Sequence, residues 1–173
     1  LFRRHFGEDR FAFRLAACQF LLVNNCVDGL SDADYEWLAT AARDADRAGP
    51  PVRHRFLFLH YPPFAAPKRE DVLRPLAAYE RLYALAPALN IRRVFSGNLH
   101  AYRRTEMRGV PYIVCGGGGG DLQSPGAFHH FLEIAVDGDT VREEIVRLPA
   151  IRSPIEEVDR FAYLYVWPRL RDR

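Results

Sequence analysis

An α/β fold is predicted by two features: strand-length apolar runs alternate with helix-period stretches, and two of those runs end in a histidine at a chain reversal. The first run, residues 56–59, delivers His60 and is stopped by Pro62 and Pro63. The second, residues 91–96, breaks at Gly97 and delivers His100. Open α/β sheets bind ligands at the carboxyl ends of their strands, so these two histidines mark one crevice where chemistry is expected.

The elements follow in chain order. After an Arg-rich opening, residues 11–15 and 18–23 read as two strands of a hairpin, the second apolar enough to be central. Ser31 caps a predicted helix over 32–48: Asp32 and Asp34 favour its positive end, Leu30 can staple against Tyr35, and Leu38, Ala41, Ala42 and Ala45 recur at helical spacing. Gly49, Pro50 and Pro51 stop it. A second helix is predicted over 71–86, carrying Leu73, Leu76, Tyr79, Leu82 and Tyr83 and ended by Pro87. Strand 91–96 follows, and then an extended run, 110–115, leads into the glycines 116–120. Residues 131–136 and 141–146 form a hairpin across Asp137, Gly138 and Asp139, each strand with one buried and one wet face. Ser153, Pro154 and Glu156 open an amphipathic helix in the tail, 151–173, whose aromatic face is expected to dock on its own domain.

Composition narrows the function classes. A chain of 173 residues suits one domain that buries roughly 70% of its unfolded surface. It is 49% hydrophobic and 27% charged, so it reads as soluble and globular, and no apolar run approaches the roughly 20 residues of a membrane span. The balance of 24 basic against 22 acidic side chains argues against general nucleic-acid binding. Cys18, Cys26 and Cys115 are an odd set without a C-x-x-C pair, expected to be reduced structural thiols. The chain opens at Leu1 without a methionine or signal-like segment; a cytoplasmic protein with room for a natural start upstream is the expectation.

The glycine run lacks the Gly-Lys-Ser/Thr ending of a phosphate loop, so its glycines are expected to let backbone pass close to a buried site or to form a flexible rim. No H-E-x-x-H, G-x-S-x-G or Ser-x-x-Lys occurs. His5, His54, His129 and His130 are read as satisfied core or surface residues. His60 and His100 differ by context, because a strand end can hold a neutral imidazole toward a metal while its other nitrogen meets an acceptor. Spacing alone leaves the structural and metal-binding readings even.

Three segments carry a resemblance: His60-Tyr61-Pro62-Pro63-Phe64, Phe95-Ser96-Gly97-Asn98-Leu99-His100-Ala101-Tyr102, and residues 109–117. With residues 6–13, 20–25 and the closing hairpin, they make residues 1–150 resemble the C-terminal half of a calcineurin-like metallophosphoesterase, the superfamily that includes purple acid phosphatases. The resemblance implies an incomplete four-layer αββα sandwich. The function it implies for the complete protein is metal-dependent phosphoester hydrolysis, by a phosphatase or phosphodiesterase with two metal ions (Mn, Fe or Zn) and a phosphoester substrate. On this resemblance His60 matches a ligand of the second metal and His100 the last histidine of Gly-His-x-His, a ligand of the first. Asn98 stands where the other histidine belongs, and its amide oxygen is a weaker donor to zinc or iron than imidazole. Tyr102, Arg103 and Arg104 are candidates to hold the anionic substrate.

The family's Asp-x-His, Gly-Asp-x-x-Asp and Gly-Asn-His-Asp/Glu motifs are absent: Gly120-Asp121 is followed by Ser124, and Gly97-Asn98 by Leu99. No catalytic residue is therefore assigned within this chain. It is expected to be a hydrolase only together with an N-terminal half supplied upstream; the alternative is a non-catalytic binding or regulatory module on a degenerate form of the fold.

Overall fold

A computed structural model describes residues 4–5, 7–26, 28–65, 74–122 and 126–149; the predicted tail helix lies outside them. Six strands form one mixed sheet: β1 (Arg10–Leu15), β2 (Cys18–Val23), β3 (His54–Phe58), β6 (Ile91–Ser96), β7 (Tyr102–Met107) and β8 (Val110–Cys115), in the order β1-β2-β3-β6-β8-β7. The four inner strands run parallel, and β1 and β7 close the edges antiparallel. Short strands β4 (Phe64–Ala65) and β5 (Arg74–Pro75) pair separately, and so do β9 (His130–Asp137) and β10 (Thr140–Arg147). Helices α1 (Asp32–Arg47) and α2 (Glu80–Ala88) complete the mixed α/β architecture. Among the described residues no helix is long and apolar enough to cross a membrane.

Helix α1 starts as its capping signal dictates. The Ser31 side chain accepts from the Asp34 backbone N–H at 3.3 Å while the Ser31 N–H reaches the Asp34 carboxylate at 2.9 Å, satisfying two donors that would otherwise be orphaned. Burial pushes the Asp34 carboxyl up, but the bonds from Ser31 and Arg10 outweigh it and hold the group below its usual range.

The second predicted helix needs correcting. Of its first residues, 71–73 lie outside the described set, Arg74–Pro75 is extended, a 3₁₀ turn occupies Ala77–Tyr79, and the α-helix runs only over Glu80–Ala88. Pro75 disfavours helical backbone at Arg74, which delays the start. Pro87 lies inside the last turn instead of ending the helix at Ala86.

Successive parallel crossovers that march the same way across a sheet put their helices on the same face. Leu21, Leu57, Val94, Tyr112 and Val114 accordingly pack with Tyr35, Leu38, Leu82, Tyr83 and Ala86 in one core. The opposite face carries Phe56, Phe95 and Ile113, covered by Leu132, Ile134 and Val141 of the β9–β10 hairpin. That cover stops short. Toward β1 an aromatic row continues, Phe56 to Phe20 at 5.6 Å and Phe20 to Phe13 at 4.7 Å, and ends with Phe11 and Phe13 about half exposed (51% and 47%) and Leu15 68% exposed.

Candidate functional site

The carboxyl ends of the four parallel strands bring residues 24–25, 59–60, 97–100 and 116–120 to one edge of the sheet. The two histidine-ending strands, β3 and β6, are neighbours there. Ladder bonding continues past the regular strands: Leu59 N–H donates to the Phe95 carbonyl at 2.9 Å and Gly97 N–H to the His60 carbonyl at 3.0 Å. His60 is exposed, with its ring edge-on to Tyr61 at 5.0 Å between centroids.

Residues 97–101 coil tightly, with Leu99 N–H donating to the Gly97 carbonyl and Ala101 N–H to the Leu99 carbonyl, both at 2.7 Å. Within this coil Asn98 has φ +59°, in the left-handed region where asparagine is among the best tolerated side chains. Asparagine at this position therefore has a backbone reason.

His100 is fixed by backbone. Its Nδ1–H donates to the Asp121 carbonyl at 2.6 Å, leaving Nε2 as the nitrogen that bears the lone pair. The glycine run makes this approach possible. A Cβ on Gly120 would sit 2.6 Å from His100 Nδ1 and closer still to Cε1; one on Gly116 would sit 2.8 Å from the Leu99 carbonyl carbon; one on Gly117 would sit 2.8 Å from His130 Cγ. Close backbone passage, one of the two roles expected of the run, is what Gly116, Gly117 and Gly120 perform.

Tyr102, Arg103 and Arg104 lie on edge strand β7, an element the sequence pattern did not single out. The Tyr102 hydroxyl donates to Glu143 of β10 at 3.0 Å; Arg93 Nε lies 3.5 Å and Arg104 Nε 3.9 Å from the same carboxylate, and Arg103 donates to the Tyr102 carbonyl at 2.9 Å. Burial, reinforced by the hydrogen bond and charge of Glu143, pushes the Tyr102 hydroxyl up to about 12. Tyr102 and Arg104 thus join the sheet to the hairpin.

Two histidines read as satisfied core residues are core but only half satisfied. His54 donates Nε2–H to the Gly138 carbonyl and His130 Nδ1–H to the Phe128 carbonyl, each at 2.8 Å, while His54 Nδ1 and His130 Nε2 are buried without a partner.

Sequence reasoning missed Asn25, which is 2% exposed at the end of β2. Its Oδ1 accepts from the His60 and Tyr61 backbone N–H groups at 2.9 and 3.0 Å, and its Nδ2 donates to the Tyr61 carbonyl at 2.9 Å and the Tyr79 hydroxyl at 3.1 Å. The available signal was its place at the carboxyl end of a central strand beside the two histidine strands.

Beside His60, on the sheet face opposite α1 and α2, opens a cavity of about 740 Å³ with apolar walls from Phe11, Leu22 and Phe58 and acidic groups from Glu8 and Asp9. Among the described residues no three His, Cys, Asp or Glu side chains converge closely enough to hold a metal ion.

No family model and no curated protein sequence matches the chain. Among solved structures it is similar to GAP50, the anchor in the inner membrane complex of Plasmodium, at TM-score 0.46 and 10% identity over 90% of this chain and 59% of that one. It is also similar to a protein assigned as a 5′-nucleotidase from Staphylococcus aureus, solved with α-ketoglutarate, at TM-score 0.45 and 13% identity over 83% of this chain and 30% of that one. The chain spans less than two thirds of the length of either.

Proposed function

We propose that this chain forms the C-terminal part of a metal-dependent phosphoester hydrolase whose complete form is an αββα sandwich. One observation carries the reading: the His60 and His100 strand ends lie side by side at the rim of an apolar sheet face that the β9–β10 hairpin covers only in part. A row of half-exposed phenylalanines beside a polar strand-end crevice is what a second sheet would cover, and such a sheet would bring further side chains toward His60. On this reading Asn98 and His100 contribute with His60 to a site for Mn, Fe or Zn, and the missing ligands belong to sequence outside this chain. Tyr102, Arg103 and Arg104 flank the position of an anionic substrate, Tyr102 and Arg104 held in place through Glu143.

The test uses protein made from the complete reading frame. Metal content and hydrolysis of an aryl phosphate are measured for the parent and for a Phe13→Asp variant. Bound metal and turnover in the parent, both lost when a charge enters the apolar face, are expected. A parent with neither metal nor turnover would sink the hydrolase reading and leave a binding or regulatory module.

A further inference from the structure

We infer that Asn25 is a positioning residue for His60, the buried amide that sets the direction in which β3 delivers its histidine; this rests on the role proposed for His60 above. Successive N–H groups along an extended strand point to opposite sides, so two consecutive N–H groups meeting one oxygen require the chain to curl around it. The His60 and Tyr61 N–H groups do this around Asn25 Oδ1, at 2.9 and 3.0 Å. Such a concavity of backbone donors ordinarily suits an anion, and here it is filled from inside by a neutral amide.

The amide is held in turn. Both Nδ2 protons are used, one on the Tyr61 carbonyl and one on the Tyr79 hydroxyl, so all its donor capacity is spent on this loop and its support. A second buried tyrosine continues the scaffold: Tyr83 donates to the Pro63 carbonyl and accepts from the Leu76 N–H at 3.1 Å. Asn25 from β2 and Tyr79 and Tyr83 from the α2 region therefore grip the 60–63 turn from beneath, while Gly97 N–H bonds the His60 carbonyl from the side. His60 itself is exposed, its ring meeting Tyr61 edge-on, so this backbone grip sets the direction in which it leaves the strand. Among the described residues, Asn25 is the side chain that bonds both the His60 and Tyr61 amides. An isosteric aspartate could accept the two N–H groups but could not donate to the Tyr61 carbonyl, so the chemistry calls for an amide.

Hydrogen exchange and the His60 ring ¹³Cε1 resonance are measured in the intact chain for the parent, Asn25→Ala, and Leu38→Ala, a core control on α1. Asn25→Ala should accelerate exchange of the His60 and Tyr61 amides by about 100-fold relative to Leu57 and displace the His60 ring resonance. Leu38→Ala should lower global stability without either local change. Should Asn25→Ala not fold, Tyr79→Phe, which removes only the fourth bond, should give the same pattern at about 3- to 10-fold. Equal effects of Asn25→Ala and Leu38→Ala, or an unmoved His60 resonance, would overturn the assignment. In the complete protein, Asn25→Ala should lower kcat for an aryl phosphate about tenfold with KM nearly unchanged, when rates are normalised to the folded fraction measured by circular dichroism in the same sample. A parent without turnover would remove the hydrolase reading, while exchange and ring resonance would still decide the positioning role.

Discussion

Replacing Gly120 with alanine separates the stability of the fold from the geometry of the site. Gly120 is not among the positive-φ glycines, so alanine meets no backbone penalty, and restricting the unfolded chain should stabilise by about 0.4–1 kcal/mol. Against this, the new Cβ would fall 2.6 Å from His100 Nδ1 and 3.0 Å from Nε2, and the half-buried ring must swing away from the Asp121 carbonyl. Losing that hydrogen bond costs about 0.5–1.5 kcal/mol. The two effects nearly cancel, so urea denaturation should find Gly120→Ala within about 1 kcal/mol of the parent, while the His100 ring resonances move. The same change at Gly117 meets the ring of His130, which is 0% exposed and has nowhere to go, so it should cost about 1–3 kcal/mol. Gly118→Ala, with nothing within 4 Å and no positive φ, should show the stabilisation of about 0.4–1 kcal/mol alone and leave the His100 ring resonances unmoved. An unchanged His100 signature in Gly120→Ala, or a stability loss equal to that of Gly117→Ala, would refute this account of the glycine run.

At Asn98, with φ +59°, glycine should be tolerated within about 0.5 kcal/mol and valine should cost about 1–2 kcal/mol in urea titrations. Asn98→His should raise metal content in the complete protein if asparagine weakens the proposed site, and a fall in both metal and turnover would identify the amide as a working ligand. Glu143→Ala strips the Tyr102 hydroxyl of its acceptor and half-buried Arg93 of its counter-ion, and should cost about 2 kcal/mol by chemical denaturation, with Glu143→Gln in between. The Tyr102 hydroxyl is raised from an ordinary 10.0 to about 12, so its protonated form is favoured in the folded state. That contribution is full below pH 10, wanes as pH rises toward 12, and should be missing from the pH–stability curve of Tyr102→Phe.

Those features were legible whose cause is local. The capping box at Ser31 and the apolar spacing behind it mark α1, and the apolar runs stopped at Pro62 and Gly97 mark His60 and His100 as following strand ends. What stayed hidden is long-range. Asn25 acts on residues 35 and 36 positions away, through hydrogen bonds that no periodicity announces. Glu143 stands at an inward position of an alternating strand, and only the arrival of Arg93, Arg104 and Tyr102 from the sheet makes a carboxylate acceptable there. The glycine run could be read as a close approach of backbone, but its partners, the rings of His100 and His130, are supplied by tertiary packing. The start of α2 was misplaced because the Tyr79 and Leu82 spacing outweighed the extended bias imposed by Pro75.

The central claim is that the His60 and His100 strand ends belong to one metal-dependent site completed from outside this chain. Its most direct test is the metal content of the complete protein, purified in parallel as parent, His60→Ala and His100→Ala. The account predicts metal in the parent and its reduction in both variants, with the folded state retained. It is contradicted by a parent without metal, or by metal retained in full when either histidine is removed.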